Sequence, residues 1–144
     1  MVTLTSSGRL TRSRIVDSSV VLDLFTADKE FYKRSLACLV KYGARGDLPI
    51  NDIVYAEVSV GFSRIEELDE ALFGAGFMGA PIPKEALFLA GKAFFAYRRR
   101  GGAKTSPLPD FIIGAHAAIA GVPFLTRDAA RVASAYPGVT LIEP

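Results

Sequence analysis

Residues 14–25, RIVDSSVVLDLF, decide the fold of this chain, because a short apolar strand runs directly into an apolar helix. The strand is predicted at residues 14–16. Asp17, Ser18 and Ser19 are residue types that begin helices, and the apolar run at 20–25 continues the helix. A strand followed at once by a helix is typical of α/β domains.

Beyond this stretch, short apolar strands continue to alternate with helices along the chain. Further strands are predicted at 48–50, 77–82, 122–125 and 139–142. Further helices are predicted at 28–42, 53–62, 65–73, 84–100, 109–120 and 128–135. The alternation indicates an α/β sandwich around a mostly parallel sheet. Ligands of such sheets collect beyond the carboxyl ends of the strands, so the acids at those ends are the first candidates for a functional site.

The composition limits the chemistry that this fold can carry. Half of the 144 residues are hydrophobic, and 17 Lys and Arg stand against 15 Asp and Glu, which fits one globular domain and excludes a disordered chain. Cys38 is the only cysteine and His116 the only histidine. This excludes an intramolecular disulfide framework and metal sites built from several cysteines or histidines. The chemistry therefore rests mainly on carboxylates.

The chain is predicted to be a single domain at 14–144 with a flexible tail at 1–13. The tail is polar and basic and lacks the apolar region of a secretory signal. No stretch approaches the roughly 20 apolar residues that cross a bilayer. Together with the single cysteine, these features predict a protein of the cytoplasm, with no membrane partner.

Four of the fifteen acids stand at strand ends or in apolar surroundings. Asp17 follows the first strand, Glu57 lies within VYAEVSV, Asp110 begins the helix FIIGAHAAIAG, and Asp128 follows the strand VPFLTR. Each acid alone has a structural alternative, as a helix cap, a first-turn acid or a salt-bridge partner. Four together need a counter-charge, for which an oxygen-seeking cation such as Mg²⁺ or Mn²⁺ is the natural candidate. Asp23, in VVLDLF, is predicted to be peripheral.

Four segments of the sequence, in this order, resemble the successive motifs of PIN-domain ribonucleases, in particular the VapC toxins of bacterial toxin–antitoxin pairs. They are DSSVVLDLF at 17–25, NDIVYAEVSVGF at 51–62, SPLPDFIIGAHAAIAG at 106–121 and FLTRDA at 124–129. The resemblance covers about residues 14 to 142. It implies a three-layer α/β/α sandwich with a short, mostly parallel central sheet. It also implies an endoribonuclease dependent on Mg²⁺ or Mn²⁺, a cognate VapB-type antitoxin and a homodimer.

Carried over residue by residue, the resemblance assigns the four acids of the family to catalytic and metal-binding positions. These acids are Asp17, Glu57, Asp110 and Asp128. In the family, the first and third acids are the usual direct ligands of Mg²⁺. Thr126 matches a position whose hydroxyl often supports the cluster, and Ser19 stands where a polar side chain near the first acid is expected.

Several basic residues lie close to these acids along the sequence. They are Arg98, Arg99, Arg100, Lys104, Arg127 and Arg131. One interpretation is that the basic residues hold phosphates of single-stranded RNA. The other is that cations at a helix C-terminus complement the helix dipole and solubilise the surface. The single histidine, His116, is predicted to be structural, since it lies six residues after Asp110 and off its helix face.

Two other functions remain alternatives. One is a catalytically silent PIN-like module that binds RNA or protein. The other is a phosphohydrolase with Asp17 as nucleophile, a class that expects a second acid where Ser19 stands. A dinucleotide-binding domain is disfavoured, because no glycine-rich turn follows the first strand.

Overall fold

The computed structural model describes residues 14–44, 48–101 and 108–144. The predicted flexible tail at 1–13 lies outside these ranges, as does Lys104. The described part contains five short strands and seven helices. The strands are β1 (Ile15–Val16), β2 (Leu48–Ile50), β3 (Phe77–Gly79), β4 (Phe124–Leu125) and β5 (Leu141–Ile142). The helices are α1 (Ser18–Thr26), α2 (Tyr32–Gly43), α3 (Asp52–Ser59), α4 (Ile65–Gly74), α5 (Lys84–Arg99), α6 (Leu108–Ala120) and α7 (Ala129–Ala135).

All strand pairs of the structure are parallel. One ladder has the order β1-β4-β5, with Val16 opposite Leu125 and Leu125 opposite Ile142. A second ladder joins β2 to β3, and β2 lies beside β1. Parallel neighbours need helical crossovers, which cover the strands. The predicted three-layer α/β/α sandwich with a short parallel sheet is confirmed.

The core forms where the apolar residues of the strands meet the apolar faces of the helices. Val16, Ile50, Phe77 and Phe124 from four strands are at most 2% exposed. Helices α5 and α6 pack along each other, and the ring of Phe111 in α6 makes an edge contact with Phe94 and a tilted contact with Tyr97 of α5. Among the described residues, no helix is long and apolar enough to span a bilayer.

The predicted helix and strand boundaries differ from those observed at several ends. The second helix begins at Tyr32 rather than at Asp28, because Asp28 Oδ1 accepts hydrogen bonds from the backbone N–H groups of Glu30 and Phe31 and holds a turn there. The strand predicted at 122–125 begins only at Phe124, directly after Pro123, which has no N–H to donate to a ladder.

The ladder places the start of the candidate site. Because β1 and β4 are parallel neighbours, their carboxyl ends meet at one edge. The Asp17 N–H donates to the carbonyl of Leu125 at 2.9 Å, and the Thr126 N–H donates to the carbonyl of Ile142 at 3.0 Å. The residues that follow β1 and β4 are therefore fixed side by side, although 109 positions separate them in the sequence.

Candidate active site

Three of the four predicted acids line one cavity. Asp17 is the N-cap of α1, Asp110 lies in the first turn of α6, and Asp128 precedes α7. Arg131 lines the same cavity, whose floor is formed by apolar residues of β4, α6 and α7. The empty space of the cavity, including its opening to solvent, is about 380 Å³.

Asp17 is held by three hydrogen-bond donors. Its Oδ1 accepts from the Ser18 N–H at 2.8 Å, and its Oδ2 accepts from the hydroxyls of Ser19 at 3.2 Å and Thr126 at 2.7 Å. Burial raises the pKa of the Asp17 carboxyl, and these hydrogen bonds oppose the increase. Both residues predicted to support the cluster, Ser19 and Thr126, thus contact Asp17.

Thr126 also connects two of the acids. Its hydroxyl donates to Asp17 and accepts from the Asp128 N–H at 2.9 Å. The side chain is fully buried, so the buried hydroxyl has both a donor and an acceptor partner, as buried hydroxyls require. One residue therefore sets the position of Asp17 and the backbone direction that leads to Asp128.

Asp110 is paired with an arginine from α7. The Arg131 guanidinium donates through Nη1 to Asp110 Oδ2 and lies with Nη2 3.2 Å from Asp128 Oδ2. The side chains of Asp110 and Arg131 are 32% and 34% exposed. Burial raises the pKa of the Asp110 carboxyl; the Arg131 charge lowers it, while the charges of Glu57 and Asp128 raise it again. Asp110 therefore interacts electrostatically with each of the other three acids.

Glu57, on α3, has a buried oxygen with nothing to bind. In the part of the chain that the structure describes, its Oε1 is out of contact with solvent and has no hydrogen-bond partner. A buried, unsatisfied oxygen in a native fold calls for a partner such as an ion or water. Its charge raises the pKa of Asp110, so Glu57 lies within electrostatic range of the site, although it does not line the cavity.

The residue types of the site suit a divalent cation, but the acids do not converge on one metal-binding point. Within the described ranges, no three His, Cys, Asp or Glu side chains converge on a common point that would hold a metal ion. The positive charge between Asp110 and Asp128 is the guanidinium of Arg131. The atoms of the four acids that could bind a metal are carboxylate oxygens, and among the described residues Glu57 Oε1 has no hydrogen-bond partner. Oxygen ligands of this kind fit Mg²⁺ or Mn²⁺.

Asp23 does not line the cavity formed by Asp17, Asp110 and Asp128. Its side chain is nevertheless buried, with 1% exposed. Both of its oxygens accept from the Arg127 guanidinium at 2.9 Å, and Oδ2 also accepts from the Ser35 hydroxyl at 2.7 Å. The guanidinium lies 4.1 Å from the centre of the Phe31 ring. Arg127, predicted to bind RNA, is thus engaged in holding the β4–α7 connection against α1 and α2.

The basic cluster at the end of α5 is exposed and stacks on aromatic rings of the same helix. Arg98 lies over Phe94 at 5.6 Å and Arg99 over Phe95 at 5.7 Å, and Arg100 lies 6.0 Å from the ring of Tyr97. The one-turn spacing of cation and ring places each pair on one helix face. The RNA-binding role of this cluster remains a prediction.

His116 is buried and does not line the cavity of the acids. Its Nδ1 lies 3.1 Å from Asn51 Nδ2, and Asn51 Oδ1 accepts from the Val54 N–H at the start of α3. Because the amide oxygen is used by the helix, the amide nitrogen donates and Nδ1 accepts. The imidazole is therefore neutral with its proton on Nε2, and burial lowers its pKa.

The sequence interpretation left the role of Arg131 undecided. The available signal was its position three residues after Asp128 on a helix, a spacing that puts the two side chains on one face. Its contact with Asp110, 21 residues earlier, depends on how α6 and α7 pack. The sequence alone does not show this packing.

Known proteins with this fold include several toxin–antitoxin complexes. VapBC2 from Rickettsia felis, bound to a DNA fragment from its promoter, is 15% identical with a TM-score of 0.65, covering 91% of this chain and 98% of that chain. VapBC-1 from nontypeable Haemophilus influenzae is 14% identical with a TM-score of 0.67 and coverages of 91% and 97%. A toxin–antitoxin complex from Klebsiella pneumoniae is 22% identical with a TM-score of 0.58 and coverages of 88% and 95%. These likenesses show the fold.

The sequence itself identifies the family. Comparison with curated protein sequences finds no match. Residues 14–134, most of the chain, match the PIN domain, and this range contains all four acids and the residues that position them. The chain therefore belongs to the PIN-domain family.

Proposed function

We propose that this protein is an endoribonuclease that depends on Mg²⁺ or Mn²⁺ and acts as the toxin of a toxin–antitoxin pair. The observation that carries the proposal is the cavity lined by Asp17, Asp110 and Asp128. Glu57 acts electrostatically on Asp110, and its buried Oε1 has no hydrogen-bond partner in the described part of the chain. Membership of the PIN-domain family supports a nuclease.

The four acids have different parts in the proposed reaction. Asp17 and Asp110 hold the principal ion, and Ser18, Ser19 and Thr126 keep the Asp17 carboxylate in position through their hydrogen bonds. A bound divalent ion would lower the pKa of a water that it binds and neutralise negative charge at the phosphate. Asp128 completes the negative site.

Glu57 is assigned to the attacking water. Its Oε1 has no partner among the described residues, so it can accept a hydrogen bond from a water bound between Glu57 and the other acids. Leaving a buried carboxylate oxygen without a hydrogen bond costs free energy, so binding such a water is favourable. This assigns positioning of the nucleophile to the second acid.

Binding of the RNA strand is assigned to the basic cluster at the end of α5. Arg98, Arg99 and Arg100, together with Lys104, supply the positive charge near the acids in the sequence, whereas Arg127 is bound to Asp23. The aromatic rings under the arginines suit a single strand, whose bases stack and whose phosphates pair with guanidinium groups. Arg98→Ala should therefore weaken RNA binding and lower its dependence on salt, because one phosphate contact is lost.

The toxin role rests on the fold and on an exposed apolar surface. The similar structures include VapBC complexes and a toxin–antitoxin complex. Helices α5 and α6 expose Phe88, Phe95 and Ile119 by 67%, 61% and 43%. Large exposed apolar side chains of this kind are suited to protein contacts. We assign them to a cognate VapB-type antitoxin and to a homodimer, in the cytoplasm.

RNA cleavage by purified variants tests the nuclease function. The wild-type protein should cleave a single-stranded RNA in Mg²⁺ or Mn²⁺ and not in EDTA. Asp110→Asn removes the charge of an acid assigned to the principal ion and should lower the rate at least about 100-fold. This corresponds to about 2.8 kcal/mol of lost transition-state stabilisation, at about 1.4 kcal/mol for each factor of ten. Glu70→Gln, which removes an exposed carboxylate on α4, is the matched control and should retain full activity.

Two results would contradict the proposal. One is cleavage that is equally fast in EDTA or in folded Asp110→Asn. The other is RNA binding without cleavage in any divalent ion, which would identify a silent PIN-like binding module instead.

A further inference from the structure

Among the described residues that line the cavity, Arg131 is the one whose charge opposes that of the acids. Its guanidinium contacts Asp110 through one nitrogen and Asp128 through another. The three side chains are 32% to 55% exposed, so solvent and ions have access to the contact. An arginine keeps its charge at every pH that proteins tolerate.

The guanidinium and a divalent ion need the same oxygen. Asp110 Oδ2 accepts from Arg131 Nη1, and Asp110 is one of the two acids assigned to the principal ion. With Arg131 in place, a guanidinium nitrogen lies directly against Asp110 Oδ2, and two cations at one carboxylate oxygen repel each other. Metal binding therefore has to move the guanidinium away from Asp110.

A displaced Arg131 still has a second carboxylate to hold it. Its Nη2 is 3.2 Å from Asp128 Oδ2, three residues earlier and on the same side of α7. When Asp110 is taken by the ion, this contact keeps the guanidinium at the cavity mouth. A guanidinium there matches the geometry of a phosphate oxygen pair.

We propose that Arg131 alternates between two partners: it neutralises Asp110 while no metal is bound, and it binds a phosphate of the RNA once a divalent ion has displaced it. The proposal rests on the nuclease function proposed above and adds a substrate-binding residue to it. It makes Arg131 a competitor of the metal and a ligand of the substrate. Removing its charge should therefore change the two affinities in opposite directions.

The first measurement is calorimetric titration of the full chain with Mn²⁺ alone. Arg131→Gln should bind Mn²⁺ about tenfold more tightly, equivalent to about 1.4 kcal/mol, because the ion no longer displaces a guanidinium. Arg131→Lys, which keeps the charge, should return the affinity towards that of the wild type. Arg64→Gln breaks an exposed ion pair with Glu66 and should leave the affinity unchanged.

The second measurement is the affinity for a fluorescent single-stranded RNA, with a gel to verify that the RNA stays intact. In Ca²⁺, Arg131→Gln should bind the RNA several-fold more weakly than the wild type, since a charge-assisted contact is lost. In EDTA the two proteins should bind equally, because wild-type Arg131 is then held by Asp110. A residue that only stabilises the fold would not produce this dependence on the ion. Circular dichroism checks that Arg131→Gln, Arg131→Lys and Arg64→Gln are folded.

The two proposals fail in different ways. If Asp110→Asn abolishes Mn²⁺ binding while Arg131→Gln leaves it unchanged or weaker, the role of Arg131 is overturned and the nuclease function stands. If the wild type binds no Mn²⁺ at all, the nuclease function fails and the role of Arg131 fails with it. If RNA affinity falls equally in Ca²⁺ and EDTA, the exchange between partners is overturned.

Discussion

Two arginines of the same short segment, Arg127 and Arg131, form ion pairs of very different character. Arg127 is bound to Asp23, whose side chain is 1% exposed, through two contacts of 2.9 Å. Arg131 is bound to Asp110 and Asp128, which are 32% and 55% exposed. Both arginines lie near the acids in the sequence, and only their three-dimensional partners distinguish them.

The difference shows that burial decides whether an ion pair is fixed or can exchange one of its partners. A fully buried carboxylate that loses its partner is left without solvation, so the Asp23–Arg127 pair holds permanently. A carboxylate that is one-third exposed regains water or takes up an ion when its partner leaves. The first pair fixes the segment that carries Thr126 and Asp128, and the second leaves the site open to a cation.

The largest expected effect comes from breaking the buried pair. Arg127→Ala leaves the Asp23 charge with Ser35 as its remaining side-chain donor, so it should lower the free energy of unfolding by about 3–5 kcal/mol. Arg131→Gln in EDTA should lower it by about 1 kcal/mol or less, since its pair is partly exposed. Urea denaturation followed by circular dichroism measures both. Equal losses in the two variants would remove the distinction between the pairs.

The next effect disturbs the helix that carries Arg131 without touching Asp23. A Cβ on Gly114 of α6 would lie 2.9 Å from Tyr136 Cε2 just after α7, so Gly114→Ala should lower the free energy of unfolding by about 1–3 kcal/mol through overpacking. Gly91→Ala in α5 is the matched control, because nothing lies within 4 Å of its Cβ. The control should gain about 0.5–1 kcal/mol from the better helix propensity of alanine. Thermal unfolding compares them, and a neutral Gly114→Ala would show that α7 is free to shift.

A smaller effect is expected at the hydroxyl that connects Asp17 to Asp128. Thr126→Val keeps the shape but removes a donor and an acceptor at 2.7 and 2.9 Å, which should cost about 1–2 kcal/mol of stability. Thr126→Ser keeps the hydroxyl and should lose less stability and retain RNA cleavage. If the valine variant cleaves RNA as well as the serine variant does, then Asp17 does not depend on Thr126 for its position.

The smallest effect extends the comparison to a neutral buried pair. Protonated His116 could no longer accept from Asn51 at Nδ1, and burial lowers the pKa of His116 in the folded state. The unfolded imidazole protonates near pH 6.5, so its stabilisation is complete above about pH 7. It is lost as the pH falls below that value, by less than about 1.4 kcal/mol per pH unit. Urea denaturation at pH 7.5 and 5.5 should show a loss in the wild type that is absent in His116→Gln; the same loss in both would contradict it.

Much of the fold and part of the candidate site follow from local sequence patterns. The alternation of apolar strands and helices predicts the α/β class, because strand and helix periodicities are local properties. Asp17 and Asp128 are visible as acids at strand ends, and the parallel pairing of β1 and β4 then brings them together. Thr126 and Ser19 were expected near Asp17 from the family resemblance, and their hydroxyls contact it.

The long-range pairs could not be predicted. Asp23 and Arg127 are 104 residues apart, and nothing in VVLDLF shows that an arginine would reach this aspartate in the core. Likewise, Arg131 meets Asp110 only through the packing of α7 on α6. Pairing of charges between distant segments depends on helix packing angles, which the sequence pattern does not reveal.

The most direct test is a crystal structure of the full chain soaked in Mn²⁺, with anomalous diffraction to locate the ion. We expect one anomalous peak in contact with the carboxylates of Asp17 and Asp110, and an Arg131 guanidinium that has left Asp110. A cavity without a peak, with Arg131 still on Asp110 at saturating Mn²⁺, would contradict a metal-dependent active site at these acids.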